Sequence, residues 1–346
     1  MNETMEEMRK IQFTGKSTYI VSLPKKWVTS LGLKAGSQII VSQKDSSLIL
    51  TPKEMAKLQV QPTEATITFS GKDSPDMIVR KIISTYLVGY SIIILRTKDE
   101  PMRATQRNAI KELTRKMLVG TEITSESSGE IKLQVLISYP ELPVEDALRR
   151  ICLIASSMHE DAMQALKNLD KKLAQEVINL DDEVDRFSLY IIRQLKAAVQ
   201  NEKILKSIGL AQPRDCLGYR VIVKFVERIA DHATRIAENI SNLTEKPNEK
   251  VFKAISKVSI FARSLFEDSI KSLFRKDYTL ADDVVSKAES VTSLEENAIK
   301  EVQTEIAQAD LSSIRIIMES LRRTAEYASD IAEVVLNLNV AQIIAT

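Results

Sequence analysis

The sequence predicts a multidomain protein with a small β-rich module, a central α/β domain and an all-α domain built from a pair of three-helix bundles. The chain has 346 residues and is 44% hydrophobic, which is too long for one average domain and apolar enough for two or three cores. The apolar pattern changes twice along the chain, near residues 60 and 140. We therefore expect domains at 1–60, 61–140 and 141–346.

The composition excludes several classes of protein. Lys and Arg number 48 against 47 Asp and Glu, so any attraction for nucleic acid or anionic lipid must be local. The two cysteines, Cys152 and Cys216, lie in helical patterns without the spacing of a disulfide framework or a zinc site. The longest apolar run, around residues 92–95, is far too short to span a bilayer. We expect a cytoplasmic protein that is not embedded in the membrane.

The first 52 residues alternate between short apolar runs and turns. Pro24 is placed to start one helical turn through residues 25–31. The runs predict strands at residues 19–23, 38–41 and 48–50. A β module of this size cannot bury a core alone, so we expect it to form a homodimer.

Positive charge is concentrated in this module, which has no acidic residue between Arg9 and Lys34. Basic side chains on loops and strand ends can neutralise DNA phosphates. The alternative is a solvated surface that keeps sheet edges from pairing. The basic residues in this interval are Arg9, Lys10, Lys16, Lys25, Lys26 and Lys34.

Two stretches of the module resemble a known family. Gly15-Lys-Ser-Thr-Tyr-Ile-Val-Ser-Leu-Pro-Lys-Lys-Trp27, followed by Leu31-Gly-Leu-Lys-Ala-Gly-Ser-Gln-Ile39, is similar to the AbrB and SpoVT swapped-hairpin proteins. The resemblance covers residues 9–52 and implies that hairpins of two chains interlock into one small barrel. It further implies DNA contacts by Arg9, Lys10, Lys16, Lys25 and Lys26. Some members of that family use the module to dimerise without binding DNA, and we expect Trp27 to be a core or interface residue.

The central region alternates strands and helices, which is typical of a compact α/β layer domain. Its glycines stand singly and do not form a phosphate-binding loop, and we assign the domain no chemistry. The expected strands are 65–69, 91–95, 122–125 and 131–138, and the expected helices are 75–88 and 102–118.

From Pro143 onward, apolar residues return every three or four positions, with breaks that predict six long helices. The segment 226–238 matches 321–333 at most apolar and small positions without a gap. This match indicates an internal duplication, with repeats at about 141–245 and 246–346 and the matching segment on the third helix of each.

Four carboxylates in the first repeat share helical faces in pairs, because Asp181 and Asp185, and likewise Glu227 and Asp231, are spaced four residues apart. If both pairs point into one groove, they need a cation, since close unpaired carboxylates are costly to desolvate. Oxygen ligands favour hard or borderline metals. The alternative is a solvated acidic face in which Asp182 pairs with Arg186 and Asp231 with Arg235.

The same acids carry a second resemblance. Residues 181–185 and the segment Glu227-Arg-Ile-Ala-Asp-His-Ala233 resemble the acidic motifs of PhoU proteins, which are six-helix phosphate-signalling regulators that bind metal clusters through those acids. The resemblance covers residues 143–342. It implies a metal ion or cluster (iron, Mn, Mg or Zn) in the first repeat, with Asp181, Asp185, Glu227 and Asp231 as its ligands.

The second repeat departs from this pattern. Arg322 stands in the place of Glu227 and Glu326 in the place of Asp231, while Glu289 is the acid left near the expected position on the middle helix. We expect Arg322 and Glu326 to pair, and this repeat to hold no metal cluster. Neither His159 nor His232 follows a Glu by three residues, so the Glu-x-x-His motif of di-iron bundles is missing.

The leading hypothesis is a homodimeric, DNA-binding transcriptional regulator whose helical domain responds to phosphate status. That response would use metal or phosphate binding, or contact with phosphate transporter subunits or a sensor kinase. The alternative is a dimeric adaptor that does not bind DNA and inhibits a phosphate transporter or sensor. A metalloenzyme is the weakest hypothesis, since no general base or redox residue supports it, and we expect binding without catalysis.

Overall fold

A computed structural model of the chain describes residues 7–15, 17–44, 46–53, 63–98, 100–136 and 142–344. The chain divides into two compact units, Met1–Pro62 and Thr63–Thr346.

In its described residues, the N-terminal unit has two antiparallel hairpins and one short helix. The helical turn after Pro24 and the strands near residues 38–41 and 48–50 agree with the sequence pattern, whereas the strand at Gln12–Thr14 was not predicted and the strand expected at 19–23 is shorter, at Thr18–Ile20. Its apolar side chains remain exposed in the single chain: Tyr19 is 73% exposed and Leu48 is 65% exposed. The short helix buries no side chain. One chain therefore leaves the hairpins without a closed core. The elements are β1 (Gln12–Thr14), β2 (Thr18–Ile20), α1 (Lys25–Ser30), β3 (Ile39–Lys44) and β4 (Ser47–Pro52).

The second unit begins with a four-stranded sheet in the order β5-β6-β8-β7. The first pair of strands is parallel and the other two pairs are antiparallel. Phe69, Ile93 and Leu133 on one face of the sheet pack against Ile78 and Ile82 in a single apolar cluster. The elements are β5 (Glu64–Phe69), α2 (Pro75–Val88), β6 (Ile92–Thr97), α3 (Ala104–Lys116), β7 (Thr121–Glu126) and β8 (Glu130–Val135).

Helix α2 shows how local sequence sets the bounds of an element. The Ser74 side chain accepts a hydrogen bond from the Met77 amide, and Pro75 occupies the first turn, where it loses no backbone hydrogen bond. Gly89 ends the helix at φ 112°, in the left-handed region that costs glycine little. The predicted helix 75–88 is therefore confirmed at both ends.

The rest of the unit is helical and contains the two expected repeats. The first comprises α4 (Val144–Asn168), α5 (Lys171–Gln200), the short α6 (Glu202–Ser207) and α7 (Asp215–Asn242). The second comprises α8 (Glu249–Arg275), α9 (Tyr278–Ala288), α10 (Val291–Val302) and α11 (Leu311–Leu338), followed by a 3₁₀ turn at Val340–Gln342. Segments 226–238 and 321–333 lie on α7 and α11, the last long helix of each repeat, as predicted.

The middle helix differs between the repeats. In the first repeat, α5 is continuous over 30 residues. In the second, the corresponding segment is divided at Glu289 and Ser290 into α9 and α10. The Ser290 hydroxyl donates to the carbonyl of Lys287 at 2.9 Å, and this local bond accompanies the break in the helix. The expectation of six helices is thus corrected in both repeats, because the short α6 follows α5 after Asn201 in the first repeat and the middle helix of the second is divided.

The sheet domain and the helices share an interface built around a buried arginine. Arg193 of α5 donates to the carbonyls of Tyr86 and Gly89, the latter at 3.1 Å, and its guanidinium lies 4.7 Å from the Tyr86 ring centre. These carbonyls belong to the end of α2, where a helix favours a cation. The helix that carries Asp181 and Asp185 is therefore also the helix that holds the sheet domain. None of the helices in the described ranges is long and apolar enough to cross a membrane.

Candidate functional site

The acid cluster of the first repeat lies between α5, which carries Asp181 and Asp185, and α7, which carries Glu227 and Asp231; these two helices pack against each other. Apolar neighbours on the same faces fix the orientation of these helices, because Val184 and Ile229 are fully buried. All four predicted metal ligands are therefore brought to one interhelical groove.

The acids of the groove repel one another electrostatically. Burial, followed by the charges of Asp185 and Asp231, raises the pKa of Asp181 to about 7. Burial and the charge of Glu227 raise the pKa of Asp185 to about 6. Burial and Glu227 also raise the pKa of Asp231, against the opposing effect of Arg228. A cation bound in the groove would relieve this repulsion.

Two side-chain cations already contact the α7 acids. Lys224 forms an ion pair with Glu227, and Arg228 lies 3.4 Å from Asp231. The alternative pairs considered from the sequence, Asp182 with Arg186 and Asp231 with Arg235, are not formed. Arg186 lies 3.5 Å from Glu183 and not beside Asp182, and Arg235 lies 4.0 Å from Glu319 and not beside Asp231.

The four acids of the groove are chemically suitable metal ligands, but their side chains are not arranged around a common point. Asp181 Oδ1 is buried without a hydrogen-bond partner, as expected of an oxygen that awaits a cation. Over the described ranges, however, no three or more His, Cys, Asp or Glu side chains converge closely enough to hold a metal ion. Metal binding would therefore require Glu227 and Asp231 to turn away from Lys224 and Arg228.

In the second repeat a side chain supplies the cation. Arg322 of α11 lies 2.7 Å from Glu295 of α10 and also pairs with Glu326, as expected from the sequence. Arg323 reaches the other oxygen of Glu326 at 2.6 Å. The guanidinium of Arg322 thus bridges carboxylates of two helices.

Glu289, the acid expected near this position, forms no ion pair with Arg322. Asp170 caps α5 and Asp277 caps α9, and counting from these caps places Ala288 and Thr292 at the positions of Asp181 and Asp185. Glu289 lies exposed at the break between α9 and α10. The carboxylate that pairs with Arg322 is Glu295 of α10, which lies about one turn beyond Thr292.

The basic residues of the N-terminal unit lie on its surface. Lys10, Lys25 and Lys26 are exposed, and the two lysines of this group after Pro24 begin α1. Arg9 is also exposed but pairs with Glu7, just outside the acid-free interval. Lys16 lies outside the described residues. Trp27 is half-buried in the single chain.

Comparison with known proteins identifies the family. The PhoU domain family matches residues 148–240 and 255–335, one stretch in each repeat. The chain belongs to the PhoU family. A second family, "Antidote-toxin recognition MazE, bacterial antitoxin", matches residues 12–58. The predicted fusion of a swapped-hairpin module with a PhoU domain is therefore confirmed.

Several relatives match the PhoU part of the chain. A phosphate-specific transport system accessory protein PhoU homolog of Aquifex aeolicus is 28% identical over 173 residues, which span 48% of this chain and 74% of the relative. Its counterpart in Clostridium acetobutylicum is 26% identical over 180 residues, or 50% of this chain and 78% of the relative. Both matches are about half of the present chain in length.

Solved structures show the same fold for the helical part. PhoU from Pseudomonas aeruginosa superposes with a TM-score of 0.51 at 22% identity and covers 57% of this chain and 96% of its own. The phosphate transport system regulatory protein PhoU from Streptococcus pneumoniae gives 0.50 at 18% identity, over 59% and 96%. At these identities the likeness shows the fold alone.

The histidines of the PhoU domain have packing roles. His159 of α4 is buried, and its Nε2 lies 2.9 Å from the Ser259 hydroxyl of α8, so it joins the two repeats. Burial and the charge of Arg263 lower its pKa to about 4. His232 lies 5.7 Å from the Tyr327 ring, between α7 and α11.

Sequence reasoning missed Lys224, Arg228 and Glu295, although a basic residue three positions before or after an acid on one helix is a usable signal for the first two.

Proposed function

We propose that this protein is a homodimeric, phosphate-responsive regulator that binds DNA through its N-terminal unit and senses phosphate status through its PhoU domain. The observation that carries the proposal is the fusion itself. Relatives of the helical part are named as accessory proteins of phosphate-specific transport systems, and the N-terminal match is to a module of the MazE antitoxin type. Input and output functions would then lie on one chain.

The exposed apolar residues of the hairpins support dimerisation. Tyr19, Val41 and Leu48 are strand residues that remain exposed in a single chain, although strands normally bury one face. Interlocking two chains would cover these side chains and form the core that one chain lacks. The basic residues of both chains would then lie on one small barrel and present twice the positive charge to a DNA backbone.

The acid cluster supports a sensing role in the first repeat. Raised pKa values at Asp181, Asp185 and Asp231 mark a groove that favours an added cation. A metal ion there, whether iron, Mn, Mg or Zn, would neutralise the four acids. Coordination positions that the acids leave free could then take a phosphate oxygen. The groove would bind a ligand and would not catalyse a reaction. The protein itself would be cytoplasmic and would contact phosphate transporter subunits or a sensor kinase.

DNA binding by phosphate contacts can be tested with paired lysine variants. Lys25→Ala with Lys26→Ala should weaken binding to all sequences alike and reduce the slope of log K against log salt by up to about two. Lys203→Ala with Lys206→Ala, on the exposed surface of α6, is the matched control and should change neither quantity. Equal affinities and slopes in both double variants would place the DNA contacts elsewhere.

Dimerisation can be tested by light scattering. The full chain should have twice the mass of one chain, and a chain beginning at Thr63 should lose the interface that residues 9–52 provide. A folded, monomeric form of residues 1–60 would contradict the swapped-hairpin arrangement.

One observation favours the alternative adaptor function. Arg9 pairs with Glu7, which lowers the net positive charge of the hairpin surface. If the full chain is dimeric and gives no salt-dependent DNA shift, the module serves dimerisation, and inhibition of a transporter or sensor becomes the function.

A further inference from the structure

The central sheet has two edges of different character. At one edge, β7 carries a register irregularity between Ile123 and Ser125, and irregularities of this kind discourage further strand pairing. At the other edge, β5 pairs with β6 in a regular register from Glu64 to Phe69. Among the described strands, none pairs with the outer side of β5. The β5 edge is therefore the one suited to accept another strand.

The hydrogen bonds of β5 show which of its backbone groups face outward. The carbonyls of Thr63 and Phe69 accept bonds from Ile92 and Lys98 on the β6 side, both at 3.1 Å. Because backbone groups alternate in direction along a strand, the odd-numbered residues of β5 face β6. The amides and carbonyls of Glu64, Thr66 and Thr68 consequently face away from the sheet.

A groove of about 560 Å³ runs beside this edge, between β5 and α2. Ile67 and Met77 supply apolar surface, and Arg80, Lys81 and Ser84 line the α2 side. Side chains of an added strand that point toward the helix layer would enter this groove, since alternate residues of a strand point to one face. Edge and groove together offer backbone pairing and a place for alternate side chains.

The positive charge of the groove indicates which kind of segment would bind there. Its lining contains Arg80 and Lys81 and no acidic residue among the described ones. Lys81 lies 3.6 Å from Asp73, whereas Arg80 is exposed, with no carboxylate at ion-pair distance in the described chain. A second copy added by β5-to-β5 pairing would bring two sets of these cations close together, which disfavours that occupant.

We propose that β5 and the adjoining groove bind an extended, acidic segment of another protein by strand addition. The outward backbone groups of Glu64, Thr66 and Thr68 provide the hydrogen bonds, and Arg80 and Lys81 select acidic side chains. The proposal gives the sheet domain a docking role that does not depend on DNA or metal binding. Arg193 fastens this domain to α5, so a docked segment is held next to the helix of the acid cluster.

The proposal is tested with a defined probe, a fluorescein-labelled peptide of four Glu-Val repeats, titrated with the full chain and followed by fluorescence anisotropy. The peptide should bind at least about tenfold more tightly than a peptide of four Lys-Val repeats, which has equal length and strand propensity. Lys25→Ala with Lys26→Ala should leave binding unchanged, which separates the groove from the basic N-terminal unit.

Variants of the edge locate the contact. Thr66→Pro removes an amide that faces outward and no bond to β6, and should raise the Kd for the Glu-Val peptide by about tenfold or more. Thr66→Ala, which keeps the amide, is the matched control and should stay within about twofold. Arg80→Glu, a surface change, should weaken the Glu-Val peptide and strengthen the Lys-Val peptide. Far-ultraviolet circular dichroism and melting temperature check that each variant is folded.

Three outcomes would overturn the proposal. The first is the absence of binding by the parent chain, and the second is equal binding by the parent, Thr66→Pro and Arg80→Glu. The third is a fall in the mass of the full chain on Thr66→Pro in light scattering, which would show that a second copy covers the edge. If Thr66→Pro does not fold, Arg80→Glu decides alone, because reversed peptide preference supports the groove and unchanged preference refutes it.

Discussion

The two helical repeats share a backbone plan but have opposite charge arrangements in their grooves. In the first repeat, four carboxylates lie along the groove between α5 and α7, and Lys224 and Arg228 pair with the two acids of α7. Burial and the neighbouring carboxylates raise the pKa values of Asp181, Asp185 and Asp231. In the second, Arg322 bridges Glu295 and Glu326, so the counter-charge belongs to the chain itself. The duplicated apolar positions preserve the fold, while a few polar substitutions decide whether a groove needs a cation from solution.

This difference implies that the net charge of the first groove can change with conditions, whereas that of the second groove is constant. A groove that takes its cation from solution changes its charge with metal supply, pH or a bound anion. A groove neutralised by a guanidinium has the same charge under all these conditions, since arginine stays protonated. We therefore propose that any response to phosphate status lies in the first repeat and that Arg322 has a structural role in the second.

Removing the internal cation should give the largest change in stability. Arg322→Ala leaves Glu295, whose side chain is 12% exposed, and Glu326 without their shared partner. We expect the free energy of unfolding to fall by about 2–3 kcal/mol, measured by urea unfolding. Arg235→Ala is the control, because Arg235 and Glu319 are each 45% exposed and 4.0 Å apart, so the change should be below about 0.5 kcal/mol. Equal effects of the two substitutions would contradict the fixed role of Arg322.

A smaller effect is expected from the histidine that joins the repeats. The pKa of His159 is lowered from 6.5 to about 4, so the unfolded chain binds the proton more readily, and stability falls as pH decreases through this window. His159→Gln, which can keep a hydrogen bond to Ser259, should remove about 1.5 kcal/mol of the loss between pH 6.5 and about pH 5. Parallel pH profiles for parent and variant would show that His159 does not remain neutral.

The smallest change in stability is expected at Asp181, where the pH dependence is opposite to that of His159. Because the pKa of Asp181 is raised from 3.8 to about 7, the folded metal-free chain binds more protons than the unfolded chain, and its stability falls as pH rises between these values. With chelator at about pH 7.5, Asp181→Asn should raise the free energy of unfolding by at most about 1 kcal/mol, because solvent screens part of the repulsion. Asp182→Asn, at the exposed neighbour, should have little effect. A destabilised Asp181→Asn protein would mean that the aspartate is stabilised by a partner.

Much of this fold follows from the sequence where local signals agree. Ser74, Pro75 and Gly89 cap and end α2, and helical periodicity with the 226–238 and 321–333 match predicts the duplicated bundle. The break at Glu289 and Ser290 contains neither proline nor glycine, so periodicity alone runs through it. The contact of Arg322 with Glu295, which lies beyond the break on α10, was likewise not predicted.

The candidate site was predictable in its members but not in its contacts. Spacing places Asp181, Asp185, Glu227 and Asp231 on two helical faces, and the structure brings them to one groove. A spacing of three residues allows Glu227 to pair with Lys224 and Asp231 to pair with Arg228, but which basic residue each acid contacts depends on side-chain direction, which a linear sequence does not specify. The hydrogen bonds of Arg193 to the end of α2 join residues that are 107 and 104 positions apart in the chain, so no local sequence pattern predicts them.

The asymmetry of the repeats is tested most directly by the metal content of the full chain purified without chelator, measured by elemental analysis. Asp185→Asn with Asp231→Asn should remove the bound metal, because it takes away a ligand and a charge from each helix of the first groove. Glu326→Gln, the matched change in the second groove, should leave the content at the parent level. Equal losses in the two variants, or no metal lost when the first groove is changed, would contradict a metal site confined to the first repeat.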